Sequence, residues 1–332
     1  MKYRELTNEQ RRQWLDFMQI DSEHRLCKKE WEHSFVGSMR WLKRKGREYL
    51  HTKKGLIEKS LGPRSPKTED IYDAFMTGRT KHEQRLESLE SALNKMAPVN
   101  RAMGLNRVPK LSSQILRSLD KEGLLGSHLV VIGTNALWAY ESTAGVQIFS
   151  DLVATMDADF LWDPRLSLKL VPMPVGKKGI LKLLQDIDQT FQKRGKNDYC
   201  AINQSGFAVD IVRPEDRQFF LNTTRDQLTS KDDDLKGAPI FGLQWLINCP
   251  KFEATLIGED GLSVRLVTVD PRAFALHKAW ISDSLTRDPI KAKRDKEQAT
   301  LIGQLANTFL NLKFSDDDLR ALPKKLRNEC RF

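Results

Sequence analysis

Three aspartates carry the clearest chemical signal in this sequence. Asp157 and Asp159 stand two apart in the segment TMDADFLW, and Asp210 stands further along in FAVDIV. Because side chains alternate along a strand, both carboxylates of the first pair can reach one point, and Asp210 adds a third ligand if the two strands pair. Such carboxylates suit Mg²⁺, with Mn²⁺ as a second option, and two such ions assist phosphoryl-type displacements. The alternative is that these aspartates are solvated strand or turn residues.

The segment ahead of the aspartates has the pattern of a phosphate-binding turn. An apolar strand, His128–Ile132, is followed by Gly133, Thr134 and Asn135 and then by a helical stretch that starts at Ala136. Glycine lets the backbone approach a ligand, and the free amides at a helix start point towards anions. An ordinary strand-to-helix turn capped by Thr134 or Asn135 is the alternative. Neither a dinucleotide-binding Gly-x-Gly-x-x-Gly nor a Gly-x-x-x-x-Gly-Lys-Ser/Thr loop occurs here.

In order and spacing, these elements resemble the nucleotidyltransferase superfamily that includes DNA polymerase β and the tRNA nucleotidyltransferases, over roughly residues 110–310. The resemblance implies an α/β (α+β) fold with a short mixed β-sheet flanked by helices. It also implies an activity, the transfer of a nucleoside monophosphate from an NTP to a hydroxyl acceptor. In that activity Gly133, with Thr134 and Asn135, holds the phosphates, and the three aspartates bind two Mg²⁺ ions. Thr134 stands at a position where many members of the superfamily have Ser or Gly.

The sequence looks closer to a bacterial branch of this superfamily with mostly unassigned substrates. Two segments carry that similarity, Gly133–Leu137 (GTNAL) and Asp270–Lys278 (DPRAFALHK). A more distant similarity links the chain to nucleotidyltransferase toxins of toxin–antitoxin systems. Some of those toxins modify tRNA ends, so RNA of the tRNA type as acceptor, a toxin or defence role and a cognate antitoxin as partner are expectations, while the similarity itself leaves the acceptor open.

Lys278 stands among apolar residues of a predicted helix that begins near Pro271, with Phe274, Ile281 and Leu285 at helical spacing. Its ammonium can reach solvent, pair with an acidic residue such as Asp295, or enter the cleft and neutralise a triphosphate. The resemblance favours the last role. A second helix, predicted from about Pro289 to Phe309, starts with a basic run in which Lys291 and Arg294 are candidates for substrate contact.

Positive charge is concentrated in the first part of the chain. Residues 1–126 contain 26 Lys and Arg against 17 Asp and Glu, whereas residues 127–332 contain 28 against 27. A basic region beside a transferase suits a polyanionic acceptor such as RNA. Within it, the candidates for substrate contact are Arg40, Trp41, Lys43 and Arg44. The alternative is that Trp41 packs a small core while the charges face water.

Composition and periodicity predict the remaining organisation. We expect a basic appendage (1–108), a catalytic domain (109–268) and a C-terminal helical region that completes the cleft (269–332). Apart from the elements named above, the expected helices cover residues 7–20, 28–35, 69–96 (with a break at 97–100), 110–119 and 178–191, and the expected strands lie at 39–50 as a pair, at 166–171, and at 252–269 as a hairpin.

No run of eighteen apolar residues occurs, and the N-terminus lacks an apolar secretory core. The four cysteines have no paired spacing, so we expect reduced thiols, no structural zinc and a cytoplasmic protein without a membrane partner. Two other functional classes stay open. One keeps the chemistry but uses a protein or a small molecule as acceptor, and the other is a non-catalytic binding module on the same fold.

Overall fold

The computed structural model describes residues 2–165, 179–195, 197–215, 233–314 and 319–329. The chain divides into two compact units, one of residues 10–105 and one that combines residues 1–9 with 106–332. The regions 109–268 and 269–332 therefore lie in a single unit. The strand expected at 166–171 lies outside the described residues.

The smaller unit consists of two long helices joined by a three-stranded sheet. The chain starts with a short strand of the larger unit and then runs through the smaller one: β1 (Tyr3–Glu5), α1 (Asn8–Ser34), β2 (Ser38–Arg44), β3 (Arg47–Lys54), β4 (Ile57–Pro63) and α2 (Pro66–Ala102). Strand β3 is central and antiparallel to both neighbours. The predicted strand pair is thus confirmed, and β4 is an addition to it.

Two helix boundaries predicted in this unit are wrong. Residues 8–34 form one helix instead of two, and α2 continues through Pro98 to Ala102. Proline removes one backbone donor, but in the last turns of a 37-residue helix that loss is small against the packing around it. Asn100 is fully buried and accepts a hydrogen bond from the Gln13 side chain at 2.9 Å, which holds this end of α2 against α1.

The start of α2 follows directly from its sequence. Ser65 accepts a hydrogen bond from the Thr68 amide, and the Thr68 hydroxyl accepts one from the Ser65 amide, so the two residues form a capping box. Pro66 then occupies the first helical position, where its missing amide donor costs nothing.

The larger unit is built on one mixed sheet. Its remaining elements in chain order are α3 (Lys110–Lys121), β5 (Leu129–Ile132), α4 (Leu137–Ala144), β6 (Val146–Ile148), α5 (Ser150–Val153), β7 (Asp157–Trp162), α6 (Ile180–Ile187), β8 (Gln192–Arg194), β9 (Asn197–Ile202), β10 (Ala208–Pro214), β11 (Ala238–Ile240), α7 (Leu243–Ile247), β12 (Lys251–Ile257), β13 (Ser263–Val269), α8 (Pro271–Ser282), α9 (Pro289–Thr308) and α10 (Lys324–Glu329). The helix expected over 178–191 is confirmed as α6, but its expected end is wrong, because residues 188–191 are described and are not helical.

The strands of the main sheet follow the order β12-β13-β5-β7-β10-β9-β8, with β11 also paired to β10. Pairings β13–β5, β7–β10 and β10–β11 are parallel, and the others are antiparallel, so the sheet is mixed as expected. The predicted hairpin over 252–269 is confirmed as β12 and β13. Helices on the sheet complete the expected α/β architecture.

The core of this unit is apolar and continuous. Strand β5 is buried along its whole length, and the largest fully buried side chains include Trp162, Tyr140 and Phe160. Three cysteines in the described residues, Cys27, Cys200 and Cys249, are buried free thiols. Among the described residues, the helices are all too short or too polar to cross a membrane.

Candidate active site

The three aspartates meet on two adjacent strands. Strands β7 and β10 run parallel, and their register sets Asp210 directly beside Asp159. Along β7, Asp157 and Asp159 are partly exposed while Ala158 between them is buried. Strand alternation therefore directs both carboxylates away from the core, as the sequence predicts, and Asp210 joins them through pairing between strands that are distant in the chain.

Crowding of these carboxylates has a clear electrostatic consequence. Burial, reinforced by the negative charges of Asp157 and Asp210, raises the pKa of Asp159 from 3.8 to about 7. Lys278 and Lys291 oppose this rise without cancelling it. The Oδ1 atom of Asp210 is buried and has no hydrogen-bond partner in the described structure. Negative charge at this point is thus under-compensated by the protein itself.

Gly133 makes room for this arrangement at the end of β5. Its φ of +67° is in the left-handed region, and a Cβ built there would overlap Oδ2 of Asp159. Only glycine satisfies both the backbone conformation and the close approach. The 3₁₀ turn Gly133–Ala136 then leads directly into α4. The turn predicted from sequence is therefore confirmed, and it touches the aspartate strand.

Thr134 and Asn135, both expected at the phosphates, have side chains that are 5% exposed. The Asn135 side-chain amide donates to the backbone carbonyl of Asp157 at 2.6 Å. The Thr134 hydroxyl accepts a 3.4 Å hydrogen bond from Gln298. These contacts hold the turn against β7 and α9. Phosphate binding through the backbone amides of the turn stays a prediction.

Of the three environments expected for the ammonium of Lys278, the structure shows an ion pair with an acidic residue. Its Nζ lies 2.6 Å from Oδ1 of Asp295, and the other Asp295 oxygen lies 2.6 Å from Nη2 of Arg287. Burial lowers the pKa of Lys278, and Asp295 opposes that effect. Since Lys278 is only 7% exposed, it does not reach solvent. The expected continuation of its apolar stripe to Leu285 is wrong, because α8 ends at Ser282 and Leu285 is fully exposed.

One face of α9 lies along the site. Lys291, Arg294 and Gln298 follow one another at helical spacing. Lys291 acts electrostatically on Asp159, and Arg294 donates a 3.4 Å hydrogen bond to the carbonyl of Ala154, just before the aspartate strand. The structure thus brings both basic candidates of α9 to the aspartates.

Gln298 is a residue that the sequence reasoning missed. It is fully buried and donates to the carbonyl of Leu152 at 2.7 Å in addition to its contact with Thr134. It therefore connects α9 with the glycine turn and with the segment that precedes β7. Its position four residues after Arg294 is the signal that could have revealed it. Thr155 was also missed, and its hydroxyl donates to Oδ1 of Asp157.

A cavity of about 590 Å³ opens beside Asp157. Its lining includes Asn135 from the glycine turn, Trp138 from α4, Met156 before β7 and Arg294 from α9. Arg294 forms no ion pair with any residue in the described ranges. The size suits a small-molecule ligand, and a lining that mixes apolar and polar side chains and includes the guanidinium of Arg294 suits a ligand that is partly apolar and partly anionic.

The candidates of the N-terminal region lie on β2, in the smaller unit. There, Trp41 packs against Tyr72 with ring centroids 5.8 Å apart and lies beneath the guanidinium of Arg64 at 5.1 Å. Arg40 pairs with Glu58 at 3.3 Å. Trp41 therefore packs against neighbouring side chains of the smaller unit, as the alternative interpretation of this segment expects. Lys43 and Arg44 are exposed.

The donor chemistry of the site fits a hard divalent cation. Three carboxylates converge on one part of the sheet, one of their oxygens is buried without a partner, and their mutual repulsion is only partly neutralised. As they stand, however, no three His, Cys, Asp or Glu side chains in the described ranges are arranged to hold a metal ion. An ion would have to draw these carboxylates together, and Asp157, Asp159 and Asp210 are the residues that would hold it.

A glycine turn at a helix start lies beside carboxylates on neighbouring strands, which is the arrangement that the resemblance to the nucleotidyltransferase superfamily implies. The chain belongs to a nucleotidyltransferase family, since the family model described as nucleotidyltransferase matches residues 110–323. The match includes the glycine turn, all three aspartates, Lys278, Lys291 and Arg294. No curated protein and no solved structure shows a significant match to the chain.

Proposed function

We propose that this protein is a metal-dependent nucleotidyltransferase that transfers a nucleoside monophosphate from an NTP to a hydroxyl group of RNA. The observation that carries the proposal is the pairing of Asp210 beside Asp159 with Gly133 packed against the same carboxylate. Membership of the nucleotidyltransferase family supports the transfer reaction itself. The metal and the acceptor are proposals.

In the proposed reaction the acceptor oxygen forms a bond to the α-phosphorus, the bridging bond to the β-phosphate breaks, and pyrophosphate leaves. Mg²⁺ ions, when bound, supply the positive charge that makes the hydroxyl acidic and stabilises the leaving group. The aspartates would hold and space those charges, and the proposed role of Asp210 includes taking the proton of the acceptor hydroxyl. The backbone amides of the Gly133 turn contact the phosphates, so the protein contributes position and charge.

The cavity beside Asp157 is the proposed place of the NTP. Arg294 supplies a guanidinium that no acidic residue of the described ranges neutralises, and it lies on the helix face that also carries Lys291. Lys278 is a weaker candidate for the triphosphate, because Asp295 already takes its charge. Its proposed role is to hold α8 and α9 together beneath the carboxylates and to moderate the charge of Asp159.

RNA is the proposed acceptor because the chain has a formal net charge of +10 that is concentrated outside the catalytic region. A cognate antitoxin is a partner that only the distant resemblance suggests. The free thiols fit a reducing compartment such as the cytoplasm, which we propose as the location.

The test is incubation of the purified protein with Mg²⁺ and each α-labelled NTP, in the presence of cellular RNA, a protein extract or no acceptor. Label on RNA is expected, and it should vanish in the Asp157→Asn/Asp159→Asn variant while the fold is retained. Replacing Mg²⁺ by EDTA should have the same effect, and Mn²⁺ should restore transfer. Label on protein alone would mean that the acceptor is a protein and not RNA. Transfer that survives the double substitution would refute the assigned site.

A further inference from the structure

The three-stranded sheet of the smaller unit concentrates the positive charge of the chain. Residues 38–63 contain eight Lys and Arg against two Glu, a net of +6, while the whole chain carries +10. Both glutamates are already engaged, Glu48 by Arg64 at 2.6 Å and Glu58 by Arg40 at 3.3 Å. Within the described part of the chain, the following basic residues of the sheet form no ion pair: Lys43, Arg44, Lys45, Arg47, Lys53, Lys54 and Lys59. Direct ion pairs therefore do not neutralise these side chains, and positive charge is in excess over the sheet.

The turn between β2 and β3 brings three of these cations together. Lys45 and Gly46 have φ values of 46° and 78°, so the hairpin closes through two left-handed residues. The register then sets Arg44 directly opposite Arg47. Like charges in such a pair destabilise a sheet, and neither arginine forms an ion pair with a residue that the structure describes. The hairpin tip is thus unfavourable for the isolated protein and suited to an external anion.

The two faces of this sheet differ. Trp41 and its cross-strand partner Leu50 share the face on which Trp41 packs against Tyr72. Alternation along the strands places Arg44 and Arg47 on the opposite face, together with the partly exposed Tyr49. That face, which we call the basic face, combines guanidinium groups with an aromatic ring.

We propose that the basic face binds single-stranded nucleic acid. Guanidinium groups neutralise backbone phosphates, and an aromatic ring on an open sheet can stack on an unpaired base. A sheet face cannot enter the deep groove of an RNA duplex, which favours single strands over double strands. In the proposed transfer reaction, the basic face would contact the RNA acceptor, and only this role of the face rests on the proposed function. The binding itself needs neither nucleotide nor transfer.

The test measures fluorescence anisotropy of the full-length protein with a short single-stranded RNA, without NTP, over a range from about 0.05 to about 0.3 M salt. The test variant is Arg44→Thr/Lys45→Asn/Arg47→Thr. Asn-Gly is a preferred sequence for this turn, and Thr is a good strand residue, so the variant should fold at least as stably as the native protein. We expect affinity at about 0.1 M salt to fall roughly tenfold and the slope of log K against log salt to decrease by about 2.

A matched control removes the same number of charges from α2, through Lys67→Gln/Lys81→Gln/Lys95→Gln. This control should keep the native salt slope. An equal loss in both variants would mean that only net charge matters and would overturn the assignment. So would tighter binding to duplex RNA or to anionic lipid vesicles than to the single strand, or no binding by the native protein. The Asp157→Asn/Asp159→Asn variant should bind RNA normally, which separates this proposal from a failure of transfer.

Discussion

Replacing Asp159 by Asn is expected to stabilise the metal-free protein at neutral pH. Burial and the neighbouring carboxylates raise the pKa of Asp159 from 3.8 to about 7. Between these two values the unfolded chain has released a proton that the folded chain still binds, so the free energy of unfolding falls as pH rises through this window. A shift of about three units corresponds to about 4 kcal/mol, and the partial exposure of the side chain reduces this to roughly 2 kcal/mol.

The assay is urea unfolding in EDTA at about pH 4, 5.5 and 7, where the native protein should lose stability relative to Asp159→Asn as pH rises. At the lowest pH the two proteins should differ little. Asp151→Asn serves as the control, because Asp151 is an exposed partner of Lys2 and should give no pH-dependent gain. Added Mg²⁺ should raise the stability of the native protein more than that of the Asp159 variant. The reasoning is refuted if Asp159→Asn is the less stable protein at pH 7.

Three further outcomes follow from contacts in the catalytic unit. Gly133→Ala should abolish transfer and cost about 2–4 kcal/mol of stability, whereas Gly145→Ala, at a similar φ but in open space, should cost about 1–2 kcal/mol in the same urea titration. Asp295→Ala leaves two cations without their buried partner and should cost about 3–5 kcal/mol, against less than about 1 kcal/mol for Lys182→Ala, which removes an exposed ion pair with Asp186. Arg294→Gln should raise KM for the NTP roughly tenfold with little change in kcat, and a fall in kcat alone would contradict its place beside the nucleotide.

Local sequence rules were sufficient to predict the arrangement of Asp157, Asp159 and the glycine turn. Strand alternation placed Asp157 and Asp159 on one face, and the glycine turn followed from a buried strand that runs into a helix. Asp210 needed one further step, because its position beside Asp159 depends on two strands that are far apart in the chain. The resemblance to a known superfamily supplied that pairing, and periodicity alone did not.

Contacts between distant helices were beyond the reach of pattern reasoning. The sequence left three fates open for Lys278, and only the packing of α8 against α9 selects Asp295. Gln298 carries no motif, yet it links the glycine turn to α9 because helical spacing points it inward. In the smaller unit, the break assigned near Pro98 was wrong because tertiary packing outweighs one lost backbone hydrogen bond.

The parallel pairing of β7 and β10 makes the register of the aspartates independent of the length of the chain that connects the two strands. Both carboxylate strands are fixed by the sheet, and the described part of the chain between them includes α6, β8 and β9. Lengthening such a connection costs little closure entropy, since each doubling of loop length adds only about 0.6 kcal/mol. Insertions in that connection can therefore be accommodated at small cost while the aspartates keep their register.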